Sequence, residues 1–103
     1  MRIKLFYLAK KKIDYIESIN SVSQNQIGKE SFPSGLTMSE LESRLSKFGF
    51  FRCHRSYLVN LQIVRELISY SKNNYTLVLG NSTQSKITLS RSRLDELKNL
   101  LDI

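Results

Sequence analysis

Short stretches of this chain alternate or run apolar as strands do, and two step at three and four residues as helices do. Arg2 to Leu8 (RIKLFYL) alternates and then runs apolar, which predicts a strand buried on at least one side. Lys10-Lys11-Lys12 follows as a charged turn, either solvated or touching a polyanion. Ile13, Tyr15 and Ile19 occupy odd positions with Asp14 at an even one, predicting a second strand. Ile16 and Glu17 break the alternation, so a bulge or strand end is expected there. Asn20 to Gln26 (NSVSQNQ) is small, polar and uncharged, as suits a loop plus a half-exposed strand. Ile27-Gly28 and Phe32-Pro33 bracket another short strand, which Pro33 restricts to an edge or an end.

Thr37-Met38-Ser39-Glu40 has the residue order of a capping box, and Met38, Leu41, Leu45 and Phe48 then fall on one helical face. Gly49 marks the stop. Phe50 to His54 reads as a short strand. The apolar run from Leu58 to Ile68 fits either period; its Val and Ile content and the Asn73-Asn74 turn favour strand. Tyr75 to Leu79 pairs back as a hairpin, Gly80-Asn81 turns, and Lys86 to Leu89 is a further strand. Ser90 is placed to cap a last helix faced by Leu94, Leu97 and Leu101. The pattern predicts a mostly β (α+β) domain of short antiparallel strands with two short helices, a single domain over 1–103.

Composition narrows the function. With 103 residues, 41% apolar, the chain can bury a core of its own. One cysteine, Cys53, excludes an internal disulfide, and one histidine, His54, leaves no Cys/His set for zinc, so neither metal nor cofactor is expected. No apolar run approaches eighteen residues and the first residues lack a signal-peptide core, so the chain reads as cytosolic, with no membrane partner. Sixteen Lys and Arg against nine Asp and Glu give a net charge of +7, which favours a polyanion, nucleic acid before an anionic membrane surface.

Three groups carry candidate chemistry. Phe51 to Asn60 (FRCHRSYLVN) sets Arg52, His54 and Arg55 among apolar residues. As an unbroken strand it would put Phe51, Cys53 and Arg55 on one side and Arg52 with His54 on the other. Ser90 to Arg93 (SRSR) lies at a predicted helix start, where free N–H groups and hydroxyls can seat a phosphate. The Asn20 to Gln26 stretch offers side chains for phosphates or base edges.

The residues strongly resemble the LytTR DNA-binding domain, the effector module of LytR/AgrA-type bacterial response regulators. The resemblance is carried by Ile13 to Glu17 (IDYIE), by Met38 to Leu45, by FRCHRSYLVN and by Ile87 to Arg91 (ITLSR), in that order. It implies an elongated multi-sheet fold of about ten strands with short helices. Its loops, not a helix, would enter successive major grooves, usually as two domains on direct repeats, bending the duplex. Carried over by position, Asn20 to Gln24, the His54–Arg55 corner and Ser90 to Arg93 face DNA. The first loop is about two residues shorter than the family pattern and has no basic or His residue. The sequence contains no receiver domain; a stand-alone regulator or a fragment with a receiver partner both fit, as does a homodimer on DNA.

The expected contacts are Arg55, Arg91 and Arg93 to bases or phosphates, Asn20, Ser21, Ser23 and Gln24 through polar contacts, and Ser90 through its hydroxyl. Arg52, Lys72 and Lys86 would add backbone attraction. The plainer alternatives are a surface Arg55 paired with Glu66, a hydrogen-bonded structural His54, and an Arg91–Asp95 pair. Asn60 reads as a turn-bonding residue and Tyr57 as packing. No enzyme is expected, since neighbouring Cys53 and His54 would point apart along a strand. Two rivals to the DNA reading are a basic β-domain for RNA and a protein-interaction module without a nucleic-acid role.

Overall fold

The computed structural model describes residues 13–102, which form eight strands and two α-helices. The strand expected over Arg2 to Leu8 and the Lys10 to Lys12 turn lie outside the described residues. Five strands, β1 (Tyr15–Ile19), β2 (Val22–Ile27), β3 (Glu30–Pro33), β4 (Phe50–His54) and β5 (Tyr57–Asn60), make an antiparallel sheet in the order β3-β2-β1-β5-β4. A second antiparallel sheet takes β6 (Val64–Ser71), β7 (Asn74–Leu79) and β8 (Lys86–Leu89) in sequence order. Helices α1 (Met38–Leu45) and α2 (Leu94–Leu101) complete a mostly β fold whose longest dimension is 45 Å against 28 and 26 Å.

The first sheet is a middle layer. On one face Ile13, Ile16, Phe50 and Leu58 pack against Met38, Leu41 and Leu45 of α1. On the other, Phe51, Cys53 and Val59 pack against Leu77, Leu79, Ile87 and Leu89 of the second sheet, closed by Leu97 of α2. β4 and β5 are therefore apolar on both faces, which is why FRCHRSYLVN does not alternate cleanly. Each fully buried Leu, such as Leu58, contributes about 1.5–3 kcal/mol relative to exposure.

The same layering corrects the expectation at Ile16 and Glu17. β1 runs unbroken, with Tyr15 turned to the second sheet and Ile16 buried under α1, so the lost alternation reports two buried faces. The capping box is present: Thr37 Oγ1 accepts from Glu40 N at 3.1 Å and Glu40 Oε1 accepts from Thr37 N at 2.9 Å. These contacts lower the Glu40 pKa. Phe48 departs from the predicted helical face, because a 3-10 turn over Ser46–Phe48 rotates it outward before Gly49 leaves at φ 88. The apolar run from Leu58 splits between the two sheets at Asn60. Asn60 Oδ1 accepts from Gln62 N at 3.1 Å, capping a 3-10 turn, and its Nδ2 donates to the Ile13 carbonyl at 3.3 Å.

Candidate nucleic-acid interface

The register of the strands decides which tips share an end of the molecule. Ile19 pairs with Val22, so the β1–β2 connection is the two residues Asn20 and Ser21, at φ 51 and 65. Positive φ at both central positions is a type I′ turn, natural for Asn and unfavourable for Ser. Glu17 pairs with Tyr57, and Ser18 N donates to the Ser56 carbonyl at 2.9 Å. This places the Arg55–Ser56 turn beside the Asn20–Ser21 tip, about two strand spacings or about 10 Å away. Across the layers, Ser90 N donates to the Cys53 carbonyl at 2.8 Å, which brings the Ser90–Arg93 stretch to the same end.

A fourth segment joins them. Tyr75 pairs with Leu89, so the β6–β7 turn opens beside the end of β8. Its tip is Lys72-Asn73, with Asn74 already in the strand, and Arg91 Nη1 donates to Asn73 Oδ1. Only the β7–β8 strand pairing reveals Asn73 as a partner of Arg91, since eighteen residues separate them in the chain.

Arg55 is exposed and makes no ion pair among the described residues, so the expected alternative with Glu66 is not formed. Its neighbour behaves differently. Arg52 is only 15% exposed, pairs with Glu42 of α1 at 3.2 Å, and donates to the carbonyls of His54 at 3.2 Å and Arg55 at 2.6 Å. Arg52, expected to attract a DNA backbone, has its guanidinium engaged in folding the corner that presents Arg55.

His54 also lies on a different side from the one expected. The β4–β5 register shifts between Arg52 and His54, a bulge that sets His54 opposite Tyr57 instead of beside Arg52. Its ring centroid is 5.6 Å from that of Tyr57, and Nδ1 accepts from Ser56 N at 3.0 Å. Tyr57 Oη donates to Glu17 Oε2 at 3.2 Å. Burial first, then the Glu17 carboxylate, push the Tyr57 hydroxyl pKa up. Cys53 is buried, with Sγ 3.5 Å from the Thr88 carbonyl, and burial pushes its thiol up to about 12. A protonated, enclosed thiol is no nucleophile.

Five further expected residues have distinct settings in the fold. Ser23 is 4% exposed and lies on the α1 face with Ser18, so its hydroxyl is withdrawn from the surface, while Gln24 is half-buried in β2 with Oε1 accepting from Ser31 at 3.3 Å. Lys86 begins β8 and Ser90 follows its end, about 13 Å apart at strand rise, so Lys86 belongs to the far end of the sheet. Ser90 makes no side-chain cap; its carbonyl accepts from Arg93 N at 2.9 Å in a 3-10 turn that precedes α2. Arg93 pairs with Glu96 at 3.0 Å, three residues on, in place of the Arg91–Asp95 pair. The opposite end of the molecule is tied by Asp14, whose Oδ2 accepts from Gly28 N at 3.0 Å and Asn81 Nδ2 at 3.1 Å.

Residues 4–102 match the family model described as the LytTr DNA-binding domain. The chain is 38% identical over 66 residues to the sensory transduction protein LytT of Oceanobacillus iheyensis, covering 64% of this chain and 27% of that protein. It is 32% identical over 91 residues to the transcriptional regulatory protein YpdB of Escherichia coli strain K12, covering 88% of this chain and 37% of the relative. The chain thus spans about a quarter to somewhat over a third of these relatives. Its fold matches a solved LytTr DNA-binding domain of a putative methyl-accepting/DNA response regulator from Bacillus cereus, with a TM-score of 0.81 at 21% identity, covering 91% of this chain and 84% of that one. Among the described residues no helix is long and apolar enough to cross a membrane.

Proposed function

Because the chain belongs to the LytTr DNA-binding domain family, we propose that it is a sequence-specific double-stranded DNA-binding domain of a bacterial transcriptional regulator. One observation carries this reading: the Asn20–Ser21 tip, the exposed Arg55 and the Ser90–Arg91 stretch, far apart in the chain, share one end of a rigid two-sheet body. In this reading the Asn20–Ser21 tip and Arg55 enter a major groove together. Arg91, with Lys72 beside it, reaches the backbone or the next groove. Arg55 reads guanine O6/N7 or holds a phosphate, and Asn20 and Ser21 add polar contacts. Arg93, His54 and Arg52 support this end from behind. The rest of the regulator, a receiver domain or a second copy on a direct repeat, would set when and where the domain binds. An RNA reader needs neighbouring aromatics on an open sheet face; here Phe51 is buried, Tyr15 and Tyr57 pack on each other at 6.3 Å, and the exposed Phe32 and Tyr70 stand on different sheets.

Fluorescence anisotropy with a random-sequence duplex at low salt, followed by selection of bound duplexes from a random pool, tests the reading. Binding is expected, with log K falling linearly in log salt concentration, and selection should return a defined site. Absence of binding at low salt would remove the nucleic-acid role.

A further inference from the structure

The hairpin tip carries something that a purely polar or cationic interface does not explain. Ile19 and Val22, the cross-strand pair that flanks Asn20-Ser21, are 44% and 43% exposed. They project on the face of β1 and β2 that holds Glu17 and Gln24, the face on which Tyr57 and His54 also lie. On that face, β-branched side chains stand in solvent at the outermost position of the sheet, one residue beyond the Ser18–Ser56 hydrogen bond that anchors the Arg55 turn.

Two side chains are too few for a protein interface, which buries about 800 Å² per partner. The neighbouring free cation at Arg55 and the net charge of +7 point to a polyanion, and an apolar pair inside a polyanion site needs an apolar group on the ligand. In the major groove that group is the thymine 5-methyl. We infer that Ile19 and Val22 read thymine methyl groups and give the β1–β2 hairpin a sequence preference that its short, uncharged turn lacks. This rests on the DNA reading above. The geometry fits it: the hairpin tip stands about 10 Å from the Arg55 corner, within the about 12 Å width of a major groove. Ile19 and Val22 would therefore contact base pairs close to the one that Arg55 reads.

The test uses the full chain and the duplex recovered by selection. Each thymine of the site is replaced singly by deoxyuridine, which deletes the methyl and keeps the pairing. The partner protein is the double variant Ile19→Ser, Val22→Ser, which removes the methyl groups from both exposed positions. At one or two positions uracil should weaken wild-type binding about fourfold, the worth of one buried methyl. The same replacement should leave the variant's affinity unchanged, and selection with the variant should lose thymine at those positions. Uracil without effect anywhere, or an equal loss in both proteins, overturns the inference and leaves the DNA reading standing. Failure to recover any bound duplex sinks the DNA reading and this inference with it.

Discussion

Arg52 donates to the backbone carbonyl of Arg55 over 2.6 Å, so one arginine holds the next in place. The same guanidinium reaches Glu42 on α1 and the His54 carbonyl, tying helix, strand end and turn together. Two basic residues three positions apart thus do different work. One is folded in by three hydrogen bonds, and the other is left exposed at the tip.

Substituting each should separate the two roles. Arg52→Ala should cost about 1–2 kcal/mol of folding stability, allowing for the partly exposed Glu42 partner, and should weaken DNA binding without altering its salt slope. Arg55→Ala should leave the denaturation midpoint unchanged and cost about 1–3 kcal/mol on a selected site. Urea titrations and anisotropy on the same preparations decide it. An Arg52 variant of full stability would contradict the positioning role.

Ser21 occupies the left-handed region at φ 65, where its Cβ is unfavourable. Ser21→Gly should therefore stabilise the protein by about 0.5–1 kcal/mol, read as a higher urea midpoint. A lower midpoint would mean that the turn is held by contacts of the Ser21 side chain.

Alkaline pH should weaken the fold. Burial raises the Cys53 thiol to about 12 in the folded protein, while the unfolded thiol titrates near its ordinary value of 9.0. Above that lower value the unfolded state gives up a proton the folded state keeps, so stability falls with rising pH until the folded thiol also ionises. The slope for this one group is about 1.4 kcal/mol per pH unit. Tyr15 and Tyr57, both raised chiefly by burial, act in the same direction once pH passes 10.0. Denaturant midpoints for wild type and Cys53→Ala from pH 8 to 11 should converge as pH rises. Parallel curves would rule out the thiol as a source of the slope.

Local signals made much of this fold legible. The Thr37 and Glu40 side chains cap α1 through contacts three residues apart, and Pro33 ends an edge strand as its missing N–H requires. Long-range features were not legible. The layer that buries Ile16 under α1 cannot be seen from period alone, and the Cys53 bulge that turns His54 toward Tyr57 follows from packing across two sheets. At the candidate site the three segments could be named from residue type. Their standing could not: Arg52 is withdrawn by Glu42 ten residues away, Ser23 by the face it takes in β2, and Asn73 is joined to Arg91 only through the β7–β8 register.

The position of Lys86 at the far end of β8 separates charge from site. Lys86→Ala should change affinity for the selected duplex by no more than about twofold, as for a surface charge outside the interface. Arg91→Ala should weaken it by about 1–3 kcal/mol. Equal losses would show that net charge, and not placement, controls binding.

Titration of isotope-labelled protein with the selected duplex, followed through backbone amide shifts, tests the shared rim most directly. Amides of Asn20–Ser21, Arg55–Ser56, Lys72–Asn73 and Ser90–Arg91 should move together at one stoichiometry, while Gly28, Asn81 and Gln84 at the Asp14 end stay still. Shifts centred on the Asp14 end, or confined to a single one of the four segments, would show that these tips do not act as one binding edge.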